Sequence, residues 1–156
     1  MSIKDKTIIV TGGSRGLGLG LVEALVDQGA KVTVVARDPA ALAAVKQRLG
    51  VAVIAADVTD QGAAQRILAD VRPEIIVLNA GATPRMGRLD QLSWADFTAT
   101  WETDVKAGLY WIQAALNLPL APGARVLVGS SGAAQQGSPL SGGYAGAKRT
   151  TMSVLL

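Results

Sequence analysis

Tyr144 and Lys148 stand four residues apart in the run Tyr144-Ala145-Gly146-Ala147-Lys148. On a helix that spacing puts both side chains on one face. A tyrosine alone is a poor acid–base group at neutral pH, because its phenol ionises near pH ~10. Moving it to about 7 takes roughly 4 kcal/mol at ~1.36 kcal/mol per unit. An ammonium about 4 Å away supplies roughly that much at an effective dielectric of about 20. A Tyr–Lys pair can therefore move protons where other chains use histidine. This chain has no histidine and no cysteine. Their absence removes Ser-His-Asp chemistry, thiol nucleophiles, disulfides and most zinc or non-haem iron sites. Any acid–base group is then a carboxylate, a lysine or a tyrosine, and no metal site is expected. The ordinary alternative for the pair is a packed tyrosine beside a solvated lysine.

A second stretch suggests a ligand. Gly12, Gly13, Gly16 and Gly18 crowd into Thr11-Gly12-Gly13-Ser14-Arg15-Gly16-Leu17-Gly18, directly after the apolar run Thr7-Ile8-Ile9-Val10. A strand that enters a helix through such a bend exposes bare N–H groups at the positive end of the helix, a seat for phosphate. The spacing is G-x-x-x-G-x-G rather than the G-x-G-x-x-G of the dinucleotide fingerprint, so the physics carries over while the generic motif does not strictly match. A tight turn that lets helix and strand pack closely is the plainer explanation. Ser131 lies just past the Val126-Leu127-Val128 run and before Tyr144. An acyl-transfer hydrolase built on Ser131 and Lys148 is disfavoured, since no G-x-S-x-G elbow surrounds the serine.

These residues need elements to position them. Short β-branched runs at 7–10, 31–36, 51–55, 75–78 and 125–129 read as strands, nearly continuously apolar as when helices cover both sheet faces. Helices are expected over about 17–28, 39–49, 61–71 and 101–116, with another beginning near Tyr144. Asp38-Pro39 reads as N-cap and first position, Gly29 and Gly50 follow helix ends, and Thr59-Asp60 opens a helix. This alternation predicts a doubly wound α/β fold with a parallel sheet and ligands at the carboxyl ends of its strands. Loops at 80–92 and 130–143 both follow strands and so fall on that edge. The 156 residues suit a single domain, with an apolar fraction of 49% and no repeat or linker. No apolar run approaches the ~18 residues of a membrane span. The chain carries a net charge of +3 without a basic run and with few aromatics. Nucleic acid and membrane partners are not expected, and the cytoplasm is the expected compartment.

The glycine turn, Asp57-Val58, Asn79-Ala80-Gly81, Ser131 and Tyr144-Ala145-Gly146-Ala147-Lys148, in this order, resemble a short-chain dehydrogenase/reductase from the first strand to the last residue. The resemblance implies a three-layer Rossmann-like domain and an oxidoreductase that moves a hydride between a nicotinamide dinucleotide and a small carbonyl or secondary alcohol. Tyr144 would be the general acid/base. Lys148 would lower its pKa and hold the nicotinamide ribose, and Ser131 would orient the substrate oxygen. Ser130 remains an alternative, because neighbours at a strand end point oppositely. Gly12, Ser14, Arg15, Gly16, Leu17 and Gly18 would seat the phosphates, and Asn79, Ala80 and Gly81 would lie against the adenosine ribose side. Asp57 would accept from the adenine amino group and Val58 would supply a backbone donor. A helix N-cap role is the alternative for Asp57. At the end of the second strand Ala36 stands where an NAD-selective acid is expected, with Arg37 next and Arg15 facing the same region. Two guanidiniums suit a 2′-phosphate, which favours NADP(H). Asp38 keeps NAD(H) open, though an N-cap role ahead of Pro39 accounts for it better.

Two features depart from the pattern. Asp104 occupies the place of a usual asparagine, where it could keep the same helix kink or draw charge away from Lys148. The chain also stops at Leu156, short of the last strand and substrate lid of the family, so a C-terminally truncated domain is expected. This favours a non-catalytic dinucleotide-binding module, or an inactive fragment, as the alternative function. Small residues at Ala107, Gly108, Ala114, Ala115, Ala145, Gly146 and Ala147 are expected to allow helix pairing in a homo-oligomer.

Overall fold

A computed structural model describes residues 2–154. Five parallel strands, β1 (Thr7–Thr11), β2 (Lys31–Ala36), β3 (Ala52–Ala55), β4 (Ile75–Leu78) and β5 (Arg125–Val128), lie in the order β3-β2-β1-β4-β5. The order reverses beside β1, which leaves a crevice at the carboxyl ends of β1 and β4. The register pairs Thr11 with Val35 on one side and with Leu78 on the other, so these strands end level with one another.

Alternation along each strand builds two cores. Ile8, Val10, Val32, Val34 and Ile75 point to the side covered by α1 (Gly16–Asp27) and α2 (Pro39–Leu49), where they meet Val22, Leu42 and Val45. Ile9, Val35, Ile76 and Leu78 point to the other side, against Ile67 and Leu68 of α3 (Gln61–Val71) and Trp111 of α5 (Lys106–Asn117). The result is three layers, helix–sheet–helix.

Capping explains where the helices begin. Asp38 accepts from the Ala40 and Ala41 N–H groups ahead of Pro39, and Asp60 accepts from those of Gly62 and Ala63. Both arrangements satisfy first-turn donors that would otherwise lack partners. Gly50 closes α2 in the left-handed region at φ 67°.

Three differences from the sequence expectation matter for the site. The helix expected from residue 101 begins earlier, as α4 (Trp94–Thr100), capped by Ser93. It then passes through a π-helical turn, Trp101–Val105, before continuing as α5. Ser93 with Asp96 was a legible cap, since its hydroxyl accepts from the Asp96 N–H. Within the expected 130–143 loop lies a short helix, α6 (Ala133–Gln136), ahead of α7 (Gly142–Val154). Finally, β5 is apolar but not covered: Val126 and Leu127 are 40% and 50% exposed. It is the edge strand of the described sheet, with Val126 and Leu127 on opposite faces and Val128 packed against the core beside Trp111.

The small residues expected at a subunit interface sit largely inside this chain. Ala107, Ala114, Ala145 and Ala147 are buried, and a side chain at Gly108 would touch Thr151 of α7. Their small size lets α5 and α7 approach each other within the chain, while Ala115 and Gly146 stay partly exposed.

Candidate active site

A cleft of about 870 Å³ runs along the carboxyl edge of the sheet, bordered by the glycine loop, the ends of β2 and β4, the π-helical turn and α7. Its floor depends on glycine. Gly12 has φ 68°, and a Cβ there would come within 2.7 Å of the Ala80 backbone. A side chain at Gly18 would overlap the Gly12 carbonyl and the Asn79 amide. The loop can thus lie directly on the residues that end β4. No side chain caps α1, and its first residues, Gly16, Leu17 and Gly18, line the cleft. Their N–H groups and the positive end of the helix face the same space.

Ser14, Arg15, Arg37, Asp57, Val58, Asn79, Ala80 and Gly81 all border this cleft. Their side chains are not all free for a ligand. Asn79 Nδ2 donates to the carbonyls of Thr11 and Gly12 at 3.4 and 3.3 Å, so the amide braces the glycine loop rather than reaching outward. Asp57 Oδ1 accepts from the Thr59 N–H and hydroxyl at 2.9 and 2.8 Å. Those two bonds hold its carboxyl below the usual Asp value, with Arg37 and Lys106 adding a smaller pull against partial burial. The N-cap of α3 is Asp60, not Asp57. Val58 is buried, with its carbonyl accepting from Trp111 Nε1 at 3.1 Å. Arg15 and Arg37 make no ion pair among the described residues.

Thr11, overlooked in the sequence, ties the loop together. It is 2% exposed, and its hydroxyl donates to the Val77 carbonyl while accepting from the Asn79 and Ala80 N–H groups. The available signal was a threonine in place of another aliphatic residue at the carboxyl end of β1.

At the other end of the cleft, α7 presents Tyr144 and Lys148 together. The Lys148 ammonium lies 5.7 Å from the centroid of the Tyr144 ring. Two glycines let α7 approach so closely: a side chain at Gly143 would collide with the Phe97 carbonyl, and one at Gly146 would press on the Trp101 indole. Trp101 Nε1 donates to the Gly143 carbonyl at 2.9 Å, which fixes the start of the helix.

Lys148 is almost enclosed. Its Nζ donates to the Gly129 carbonyl at 3.2 Å and lies 3.0 Å from Asp104 Oδ2, with side-chain exposures of 10% and 2% for the pair. Oδ2 has no aligned hydrogen-bond donor, so the contact is one of charge. Oδ1 accepts from the Ala82 N–H at 2.8 Å. Of the two alternatives for Asp104, the geometry realises both parts: a π-helical kink, and a carboxylate on the lysine.

The two serines part company. Ser130 borders the cleft, and its hydroxyl lies 3.5 Å from the Lys148 carbonyl. Ser131 is not among the residues that line the cleft, and its Oγ accepts from the Ala133 N–H at 3.3 Å at the start of α6. Residues leaving a strand point alternately, so adjacent serines face different sides.

A glycine-floored cleft at the switch point of a doubly wound sheet defines a nucleotide-binding α/β protein. Comparison with known proteins sharpens this. The family model described as short chain dehydrogenase matches residues 6–155. A short chain dehydrogenase/reductase of Aspergillus aculeatus, AacuD, is 33% identical over 96% of this chain and 56% of its own. The L-fucose dehydrogenase of Rattus norvegicus is 34% identical over 71% of this chain and 43% of its own. A solved short chain dehydrogenase/reductase family protein superimposes with a TM-score of 0.88 at 25% identity, covering 99% of this chain and 67% of that one. Another, from Burkholderia phymatum in complex with NAD, gives 0.86 at 22% identity, over 99% and 59%. The chain belongs to the short-chain dehydrogenase/reductase family. It spans about half the length of these curated relatives.

Proposed function

We propose that this chain carries the dinucleotide site and the proton-transfer residues of an oxidoreductase acting between NADP(H) and a carbonyl or secondary alcohol. The observation that carries the reading is the Tyr144–Lys148 pair on α7, at the end of a cleft whose opposite end is the uncapped start of α1. The cleft fits an extended dinucleotide. Its volume is ample, the loop at Gly12 admits no side chain, and unpaired Arg15 and Arg37 border it together. The α1 N–H groups and the two guanidiniums would hold the phosphates.

When bound, a reduced nicotinamide supplies the hydride. Tyr144 donates its phenolic proton to the carbonyl oxygen as that oxygen gains charge, and takes it back in the reverse direction. Lys148, beside the ring, stabilises the phenolate that remains. A serine hydroxyl of the 130–131 pair would donate a hydrogen bond to the substrate oxygen and hold it toward the phenol; the resemblance favours Ser131, and the lining of the cleft favours Ser130. A small-molecule carbonyl or secondary alcohol is the substrate class this reading implies.

Tyr144→Phe tests this. Carbonyl-dependent NADPH oxidation should fall by about 10²–10⁴-fold, the usual contribution of a positioned acid–base group. NADPH binding, followed by fluorescence titration, should survive. Unchanged turnover refutes the assignment. Comparing Ser131→Ala with Ser130→Ala in the same assay identifies the orienting hydroxyl.

The burial of Asp104 against Lys148 favours one second reading, a dinucleotide-binding module without catalysis, because the carboxylate opposes the charge that Tyr144 needs. NADPH binding with no turnover on a broad carbonyl panel would support that reading.

A further inference from the structure

Asp104 and Lys148 form the most enclosed ion pair among those in the described residues; the others have side chains at least one-third exposed. Burying both charges carries a desolvation cost, so a pair held this way asks for a reason beyond stability. Its surroundings supply one. The lysine lies beside the Tyr144 ring, and the carboxylate is anchored by the Ala82 N–H directly above Gly81, whose Cβ would come within 3.0 Å of Oδ2. The π-helical turn is what carries Asp104 to this place.

We propose that Asp104 is a positioning residue that holds Lys148 beneath Tyr144 and, as its counter-charge, sets the pH at which Tyr144 exchanges its proton. This rests on the assignment of Tyr144 as the acid–base group. An ammonium alone would favour the phenolate strongly. An ammonium with a carboxylate 3.0 Å away presents a dipole instead, so much of its field at the phenol is cancelled.

The other charged groups described on the surrounding elements are exposed or engaged elsewhere; Lys106, at the start of α5, is exposed and acts on Asp57. On α4, Asp96 accepts from the Ser93 hydroxyl and lies 3.7 Å from Arg85. On the π-helical turn, Glu102 borders the cleft but is exposed. The helix α6 carries no ionisable side chain. On α7 itself, Arg149 donates to the Ala134 carbonyl. Arg88 and Asp90, in the loop after β4, pair with each other. Arg15, Arg37, Asp38 and Asp57 border the glycine-loop end of the cleft.

Asp104→Asn is the informative change, because it keeps the shape and the acceptor for the Ala82 N–H while removing the charge. The chain has two tyrosines, Tyr110 and Tyr144, so ultraviolet titration of tyrosinate, with Tyr144→Phe as reference, isolates one phenol without cofactor or substrate. Ionisation of Tyr144 should move down by about one pH unit or more in Asp104→Asn, as an uncancelled neighbouring charge produces. With NADP(H) and a turned-over carbonyl–alcohol pair, the acid limb of oxidation and the alkaline limb of reduction should move down together by that amount, since one group governs both. A purely structural aspartate would lower the melting temperature and leave both profiles in place, which overturns the proposal. Asp104→Ser provides a second uncharged variant. If neither variant folds, Asp104 belongs to the fold and the tuning role is lost. If the wild type never turns over, the oxidoreductase reading fails, while the tyrosinate titration still decides the role of Asp104.

Discussion

Arg15 and Arg37 border the same cleft and make no ion pair among the described residues, while Asp38 beside them accepts from the Ala40 and Ala41 N–H groups. An aspartate already capping α2 is poorly placed to take a ribose hydroxyl, whereas two free guanidiniums suit a dianion. Arg37→Ala should therefore weaken NADPH binding about tenfold and leave NADH nearly unchanged, as loss of one charge-assisted contact implies. Equal weakening of both coenzymes in parallel titrations would assign Arg37 to general cleft structure. Asn79 and Asp57 illustrate how far a residue can be read without its neighbours. Their place beside the cleft was legible from order and spacing, but the amide of Asn79 turns onto the glycine loop and one oxygen of Asp57 turns onto Thr59. The partners of Asn79, Thr11 and Gly12, lie more than sixty residues away in the chain, whereas the Asp57 partner is the local Thr59.

The reach of Tyr144 toward the cleft is a property of α7 as an element. Its first turn lies on α4 and the π-helical turn so closely that Gly143 faces the Phe97 carbonyl, with Trp101 Nε1 bonded to the Gly143 carbonyl. Gly143→Ala should force α7 outward and destabilise the protein by about 1–3 kcal/mol, as overpacking does. In thermal melts the transition should fall, and turnover should drop more than NADPH affinity, because the Tyr144 end moves while the glycine loop does not. A melting temperature equal to wild type would show that the close approach is dispensable. The alternation of strands and helices and the caps at Asp38 and Asp60 were readable in sequence, since each depends on residues within a turn or two. The π-helical turn was not, because the helical periodicity of 94–117 continues on both sides of it and nothing local marks the extra residue.

Across the molecule, two carboxylates are held below their ordinary values, and both join distant parts of the chain or border the cleft. Lys6 and the Thr7 N–H bond the Glu74 carboxylate, which tethers the start of β1 to the residue before β4. Asp57 is held by Thr59. A carboxylate with a depressed native value contributes stability that is present above its unfolded value and lost as the pH falls through the native one. Melting temperature should thus hold steady from neutral pH and then fall as the pH drops below about 4, the ordinary carboxylate range. Glu74→Gln should soften that fall; an identical acid slope in the variant would show that Glu74 takes no part. In keeping with the two-layered core, no described helix is long and apolar enough to cross a membrane. Among the described residues no cluster of acidic side chains could hold a metal ion.

By itself the sequence determined the doubly wound α/β order, the glycine loop, and the shared helical face of Tyr144 and Lys148. Each follows from periods of two or 3.6 residues and from turn chemistry, which act over a few neighbouring positions. The tertiary structure alone decided that Asp104 sits on Lys148, that Ser130 rather than Ser131 borders the cleft, and that Ala107, Ala114, Ala145 and Ala147 are buried within the chain. Those outcomes depend on how helices far apart in the chain meet over a common sheet edge, and close packing at that edge selects one arrangement.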